Sequence, residues 1–439
     1  MRMPRLHERL CAHLAQLASR TTALTPRARS ASTAASAFAR AASAVARAPP
    51  ASTHPRGEFD IVIVGGGVVG CSVAYNLARR GVKDVVLLEK HALTSGTTWH
   101  AAGLVGQLRA TQNQTELAKY TRDLYLSLEE ETGLATGYRS TGSISVARTP
   151  EREEELKRQA GMAAAFGVDV ERLSFKDAKE KAPLLNTDDL VAAYLIPSDG
   201  MTNPTDTTQA LARGARNGGT KIFEGVKVSE ILTHEGRAIG AKTDKGRIEA
   251  EVVVVCAGMW TRELCAPLGV DVPLHAAEHY YIVTRPIEGV LRNQPVLRDM
   301  DGYIYIKEEV GGLVLGGFEP HAKPWGMEGI PDGFEFQALP EDWDQFEVFM
   351  NTGLERIPAL AEAEIRQLFV GPESFTPDNR YILGEAPDLR RLYVAAGFNS
   401  IGIQSAGGAG KALAEWIVED APTMDLAELD IRRFHRFER

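Results

Sequence analysis

Cysteine is scarce. Only Cys11, Cys71, Cys256 and Cys265 occur in 439 residues, and no two of them form a C-x-x-C pair. A disulfide-framed scaffold and a cysteine-built metal centre are thereby excluded, and the pattern suits buried thiols in a reducing compartment. No stretch of 18 uncharged apolar residues exists, so no transmembrane helix is expected. Lysine is absent from residues 1–57, which carry nine arginines, one acid (Glu8) and many alanines, serines and threonines. This is the arginine-rich, acid-poor composition of an organelle transit peptide, with Leu6, Leu10, Leu14 and Leu17 at near-helical spacing. The other reading of that leader is a disordered tail. Its net charge is +8, from nine Arg and one Glu, so a total of −9 leaves −17 on the remainder. So acidic a body argues against nucleic acid, whose phosphates need a basic surface.

What is present is organised around Phe59 to Gly103. The β-branched run Ile61-Val62-Ile63-Val64 turns directly into glycines, and Gly65, Gly67 and Gly70 give the G-x-G-x-x-G spacing. A helical pattern follows, then a second apolar run, Val85 to Leu88, ending in Glu89, 19 residues beyond Gly70. Each part has a mechanical task. Gly65 permits the tight turn, Gly67 lets backbone approach a pyrophosphate, and Gly70 lets helix and strand pack closely. The helix N-terminus at Val68 and Val69 offers N–H groups to phosphate, and Glu89, followed by Lys90, stands where a carboxylate meets ribose hydroxyls. Strand, glycines, helix, strand and terminal acid in one unit predict a dinucleotide site.

Strand and helix patterns alternate through the first part, so a mostly parallel sheet is expected. TELAKYTRDLYLSLEEETG places Leu117, Tyr120, Leu124 and Leu128 on one helical face and stops at Gly133. GYRSTGSISVA alternates as a strand, and the acidic run Glu151 to Glu155 begins a solvated helix. EAEVVVVCAGMW is a buried strand opening into small residues. Val254, Cys256, Gly258 and Trp260 serve either the core or a cofactor there, and the apolar run does not separate the two. Near the end, a strand over Leu392 to Ala396 leads to a glycine-rich turn and a helix with Leu413 and Trp416 on its apolar face. From about 264 to 366 the chain reads as aromatic-bearing strands: HAAEHYYIVT, GYIYIKEE and GGLVLGGFE.

The segments LTSGTTWHAAGL, EHYYIVT, GPESFTPD and LDIRRF, spread over about 58 to 437, resemble the dimethylglycine and sarcosine dehydrogenase family. That resemblance implies an α/β fold: a Rossmann-like FAD-binding domain of discontinuous segments, with an inserted α+β substrate domain built on antiparallel sheet. The expected division is a leader over 1–57, FAD-binding segments 58–138, 174–263 and 367–421, substrate segments 139–173 and 264–366, and a tail over 422–439. In the family a histidine in W-H-x-A-G-L is tethered to the 8α position of FAD, which lands on His100. Gly96, Thr97, Thr98, Trp99, Ala101, Ala102, Gly103 and Leu104 would then lie against the isoalloxazine. Val228 matches the position whose backbone faces adenine, and Gly258 and Trp260 the approach at the strand end. Gly397, Phe398, Asn399, Ser400, Ile401, Gly402 and Ile403 form the last turn, whose helix N-terminus would face the flavin pyrimidine.

The implied activity is FAD-dependent oxidative N-demethylation of a small N-methyl amino acid, sarcosine first and dimethylglycine next. Its electrons pass to electron-transfer flavoprotein in the mitochondrial matrix. His279 and Tyr281 match the family's H-x-Y and share a strand face by alternation, which assigns them to substrate orientation and amine deprotonation. The bland reading is a strand whose inward face happens to carry His and Tyr. Lys307 sits where relatives commonly have arginine and is the candidate for the substrate carboxylate, although lysine lacks the bidentate fork. Arg109 is the reserve. The chain ends at Arg439, where the family's folate-binding module would begin, so no folate use is assigned. HAAEHYYIVTRPIEGV and PEDWDQFE are more similar to the regulatory subunit of pyruvate dehydrogenase phosphatase, a non-catalytic FAD-holding relative whose branch lacks the tethering histidine. His100 favours the enzyme.

Overall fold

The computed structural model describes residues 57–434. The leader expected over 1–57 lies outside the described residues except for Gly57, as does the end of the expected tail.

The β-branched run after Gly57 forms β1 (Gly57–Val64), which pairs in parallel with β2 (Val85–Glu89) on one side. Between them runs α1 (Val68–Arg79). Later strands join the same sheet: β5 (Lys221–Glu224) beside β2, β8 (Gly246–Val255) beside β1, and β15 (Leu392–Ala396) beside β8, all parallel. Antiparallel β14 (Ile382–Glu385) closes one edge, and a meander of β6 (Val228–His234) and β7 (Arg237–Thr243) leads into β8. The expectation of a mostly parallel sheet holds for its centre.

Two-sided burial explains why these strands read as continuous apolar runs. Ile61, Ile63, Val85, Leu87, Val252 and Val254 face a core shared with α1, α2 (Gln112–Thr132), α4 (Pro204–Asn217) and α6 (Gly402–Glu419). Val62, Val64, Val86, Leu88, Val253 and Val255 face the opposite core. Helix α2 starts at Thr111, whose hydroxyl accepts from the Gln114 N–H, and ends at Gly133 in the left-handed region. Helix α6 begins earlier than the sequence pattern suggests. Gly407, Gly408 and Gly410 lie inside it rather than in the preceding turn, and a Cβ on Gly408 would sit 2.2 Å from the Leu117 carbonyl. Those glycines let α6 press its backbone against α1 and α2.

The second sheet runs β9 (His275–Thr284), β12 (Gly312–Gly317), β11 (Ile304–Glu309), β10 (Val296–Asp299), β3 (Ser143–Ala147) and β4 (Ala192–Ile196), with β13 (Ile365–Phe375) along the other side of β9. All of these pairings are antiparallel except β10 with β3. One face packs Tyr280, Ile282, Ile304, Ile306, Leu313 and Leu315 against α5 (Trp343–Arg356). The alternate residues, His279, Tyr281, Tyr305 and Lys307 among them, face the other side. Strands β4 and β13 belong to this sheet although β4, and all of β13 after its first two residues, fall in segments 174–263 and 367–421, read from the sequence as nucleotide-binding. An apolar run such as AAYLI has the same pattern in either sheet, and only the return path of the chain selects its partner.

Candidate active site

The glycine turn is set by close backbone contact. Gly65 has φ of 112°, and a Cβ there would lie 2.3 Å from the Cys256 carbonyl at the end of β8. A Cβ on Gly70 would lie 2.0 Å from the Gly65 carbonyl, so only glycine lets α1 start against β1. Gly67 caps α1 without a side-chain bond, and the Val68 N–H donates to the Thr98 hydroxyl at 3.1 Å. The later N–H of Val69 lies in the same first turn. Glu89 is 9% exposed. Its carboxylate accepts from the Gly66 N–H at 2.7 Å and the His91 N–H at 2.9 Å. Burial raises its pKa against those two donors. Lys90 extends its ammonium over the Trp260 ring at 3.6 Å, and that ring also presses on Gly96. The Val226 N–H donates to the Glu89 carbonyl, while Val228 begins β6 opposite Thr243. Gly258, at φ of 55°, turns the chain after β8.

Thr98 to His100 form one short helical turn, followed by the extended Ala101 and by Gly103, whose φ is 78°. A Cβ on Gly103 would strike the Thr202 carbonyl at 2.1 Å, so the small-residue segment is a fitted seam. Leu104 and Val105 then pair with Gly200–Met201. Thr97 donates to the Pro372 carbonyl at 3.4 Å. His100 is 4% exposed. Its ring stacks on Phe369 at 5.3 Å, and Trp99 meets it edge-on at 5.5 Å. Burial lowers the His100 pKa to about 3, with His279 adding to the shift, so the imidazole is neutral at physiological pH. Its Nε2 is buried without a hydrogen-bond partner.

Alternation along β9 puts His279 and Tyr281 on the face opposite the Tyr280 core, as expected. Tyr281 stacks on Phe369 at 4.9 Å and donates its hydroxyl to the His100 carbonyl at 3.1 Å. Burial pushes its phenol well up, so Tyr281 stays protonated and positions its neighbours rather than taking a proton. His279, 7% exposed, lies beside Tyr305, with Nε2 and the hydroxyl 3.4 Å apart, and against Phe318. Lys307 is on the same face, one pair further along, with its ammonium 2.9 Å from Glu309. Arg109 is half-buried, and its guanidinium donates to the carbonyls of Leu108 and Gly106.

At the far end, the turn before α6 holds Asn399 and Ser400 at φ of 48° and 62°. Asn399 makes this affordable by bonding on three sides. It accepts from the Thr376 N–H at 2.8 Å, donates its amide to the Gly397 carbonyl at 2.7 Å, and sends its N–H to Ser374. Phe398 stacks on Tyr381, and the Ile403 carbonyl accepts from Tyr125. No side chain caps α6 at Ile401, so Gly402 and its successors present unsatisfied N–H groups. Four residues near the site were not singled out from the sequence, although two lie in segments quoted from it: Tyr305, Phe369, Arg298 and Glu373. The last is 4% exposed on the His279 face, with Oε2 unpartnered. Only cross-strand register could have found them.

The residues present fit FAD. An uncapped helix start behind three close-packed glycines can hold a pyrophosphate, and a neutral buried imidazole with a free nitrogen can hold the dimethylbenzene edge.

Residues 60–416 match the family model described as FAD dependent oxidoreductase (DAO). The mouse mitochondrial pyruvate dehydrogenase phosphatase regulatory subunit is 43% identical over 382 residues, covering 86% of this chain and 43% of that protein. Mouse mitochondrial sarcosine dehydrogenase is 40% identical over 86% of this chain and 41% of its own length. The chain thus spans less than half the length of these curated relatives. The crystal structure of L-proline dehydrogenase from P. horikoshii superposes with a TM-score of 0.78 at 26% identity, covering 87% of this chain and 99% of that one. The chain belongs to the family of FAD dependent oxidoreductases.

Proposed function

We propose that the protein oxidises the N-methyl group of a small amino acid, sarcosine first and dimethylglycine next, with FAD tethered to His100. The observation that carries this reading is His100 itself: buried, neutral, unpartnered at Nε2, and bonded through its own carbonyl to the Tyr281 hydroxyl. When bound, FAD supplies the hydride acceptor, and the oxidised amine hydrolyses to formaldehyde and the demethylated amino acid. The glycine turn and the start of α1 hold the pyrophosphate, Glu89 the ribose, and the Trp99–Gly103 segment the ring. The bare N-terminus of α6 offers partial positive charge to the pyrimidine carbonyl. Tyr281 and Phe369 wall off water and fix the seat of the methyl group. The substrate amine must be neutral to react, and His279 is the acceptor for its proton. Electron-transfer flavoprotein in the mitochondrial matrix is the proposed electron acceptor. Anaerobic addition of sarcosine should bleach the flavin absorbance. No bleaching with sarcosine, dimethylglycine or related methylamines would remove the activity.

The 43% identity to a phosphatase regulatory subunit favours a second reading, in which FAD is held structurally. Acid precipitation separates the two: flavin that remains attached through His100 supports the enzyme, and freely released flavin supports the regulatory reading.

A further inference from the structure

A substrate carboxylate needs a cation, and both cations that the sequence singles out are already engaged. Lys307 is paired with Glu309 at 2.9 Å, and two nitrogens of the Arg109 guanidinium already donate to backbone carbonyls at 2.9 and 3.0 Å. Arg298 is different. In β10 it pairs directly with Tyr305, which pairs with Gly316, which pairs with Tyr281, which pairs with Phe369. Direct cross-strand partners share a face, so one row carries Arg298 alongside the aromatic residues that line the His100 pocket. The contacts of Gly316 agree, since a Cβ there would lie 2.5 Å from the Tyr305 hydroxyl and 2.9 Å from the Tyr281 Cβ.

The guanidinium reaches over the segment that follows Gly103. One terminal nitrogen lies 2.8 Å from where a Cβ on Gly106 would stand, and the Gly106 N–H is held by Gln404 in α6. Arg298 Nε is buried with no acceptor. Among the described residues the side chain makes no hydrogen bond and no ion pair. Arg109 is close enough for the two positive charges to disfavour each other, and Asp199 is the carboxylate beside them. Asp199 already accepts from the Gln107 N–H and the Ser143 hydroxyl. Two half-buried guanidinium groups against one buried carboxylate leave a surplus positive charge, which an arriving anion would offset.

We propose that Arg298 binds the carboxylate of the substrate and so confines the reaction to N-methyl amino acids rather than N-methyl amines in general. This rests on the function proposed above and adds the residue that sets its substrate class. Arginine's planar fork suits a carboxylate in the bidentate mode that Lys307 cannot offer.

The test titrates flavin-loaded wild type, Arg298→Gln, Arg298→Lys and Gly106→Ala with (methylthio)acetate, an unreactive carboxylate, by calorimetry. Arg298→Gln should weaken binding about 10- to 100-fold, the loss expected for one or two charge-assisted hydrogen bonds. Arg298→Lys should recover part of it. Gly106→Ala should weaken binding with the charge retained, because its Cβ would stand 2.8 Å from the guanidinium nitrogen and push it aside. That variant guards against a folding defect in the first. Arg298→Gln should lower anaerobic flavin reduction by sarcosine more than by sarcosinamide, which lacks the carboxylate. Unchanged (methylthio)acetate affinity in both Arg298→Gln and Gly106→Ala would overturn the assignment. Should no methylamine bleach the wild type while carboxylate binding still depends on Arg298, the catalytic reading fails and the anion site stands.

Discussion

Replacing His100 by leucine should change how stability responds to acid, and the size of the change follows from the structure. An ordinary histidine titrates at 6.5, and burial holds His100 at about 3. Above pH 6.5 neither the folded nor the unfolded form is protonated at this residue, and it contributes nothing to pH dependence. As pH falls from 6.5 toward 3, the unfolded chain takes the proton first, so folding loses stability throughout that window. At pH 5 the loss attributable to this imidazole is about 2 kcal/mol, from the difference in proton binding between the two states. For a chain of this size that corresponds to a Tm decrease of about 3 °C. The measurement compares flavin-free wild type and His100→Leu, both from riboflavin-starved cells, by scanning calorimetry at pH 7 and pH 5. All other titrations are common to both proteins and cancel in the comparison. The wild type should lose about 3 °C more than the variant. Parallel curves would show that the imidazole is solvated or already charged, and the reasoning that leaves Nε2 free for a cofactor would collapse.

Two more substitutions probe the surroundings. A Cβ on Gly371 would stand 2.8 Å from two atoms of the His100 ring and 2.7 Å from Phe369, so Gly371→Ala should displace the imidazole by several tenths of an ångström. Flavin fluorescence on denaturing gels should drop severalfold in that variant while the fold, read by circular dichroism, persists; full retention of acid-stable flavin would refute the contact. Arg356 is 1% exposed and joins Asp299 at 3.0 Å and Asp189 at 2.8 Å. Arg356→Leu should cost about 3 kcal/mol, because Asp299 is left buried with Arg148 as its sole ion-pair partner among the described residues. Urea unfolding checks this, and a loss under 1 kcal/mol would mean that the leucine repacks without leaving an unpaired charge.

Local order was legible from the residues alone. The glycine turn, the strand that ends in Glu89, the helix that stops at Gly133 and the shared face of His279 and Tyr281 each follow from periodicity or from a steric demand made within a few positions. The tethering candidate came only with the resemblance of LTSGTTWHAAGL to the dehydrogenase family, since residue type alone does not separate it from an ordinary loop histidine. Partnership was not legible. Residues 192–196 and 365–375 joined the second sheet because the chain returns there, and an apolar strand carries no record of which edge it will meet. Lys307, the candidate read from the sequence, pairs with Glu309 in the fold, and Arg298 drew no notice because what sets it apart is its cross-strand register with Tyr305. Composition and spacing fix what each segment can become; which charges end up compensated is decided only when segments distant in sequence share a face.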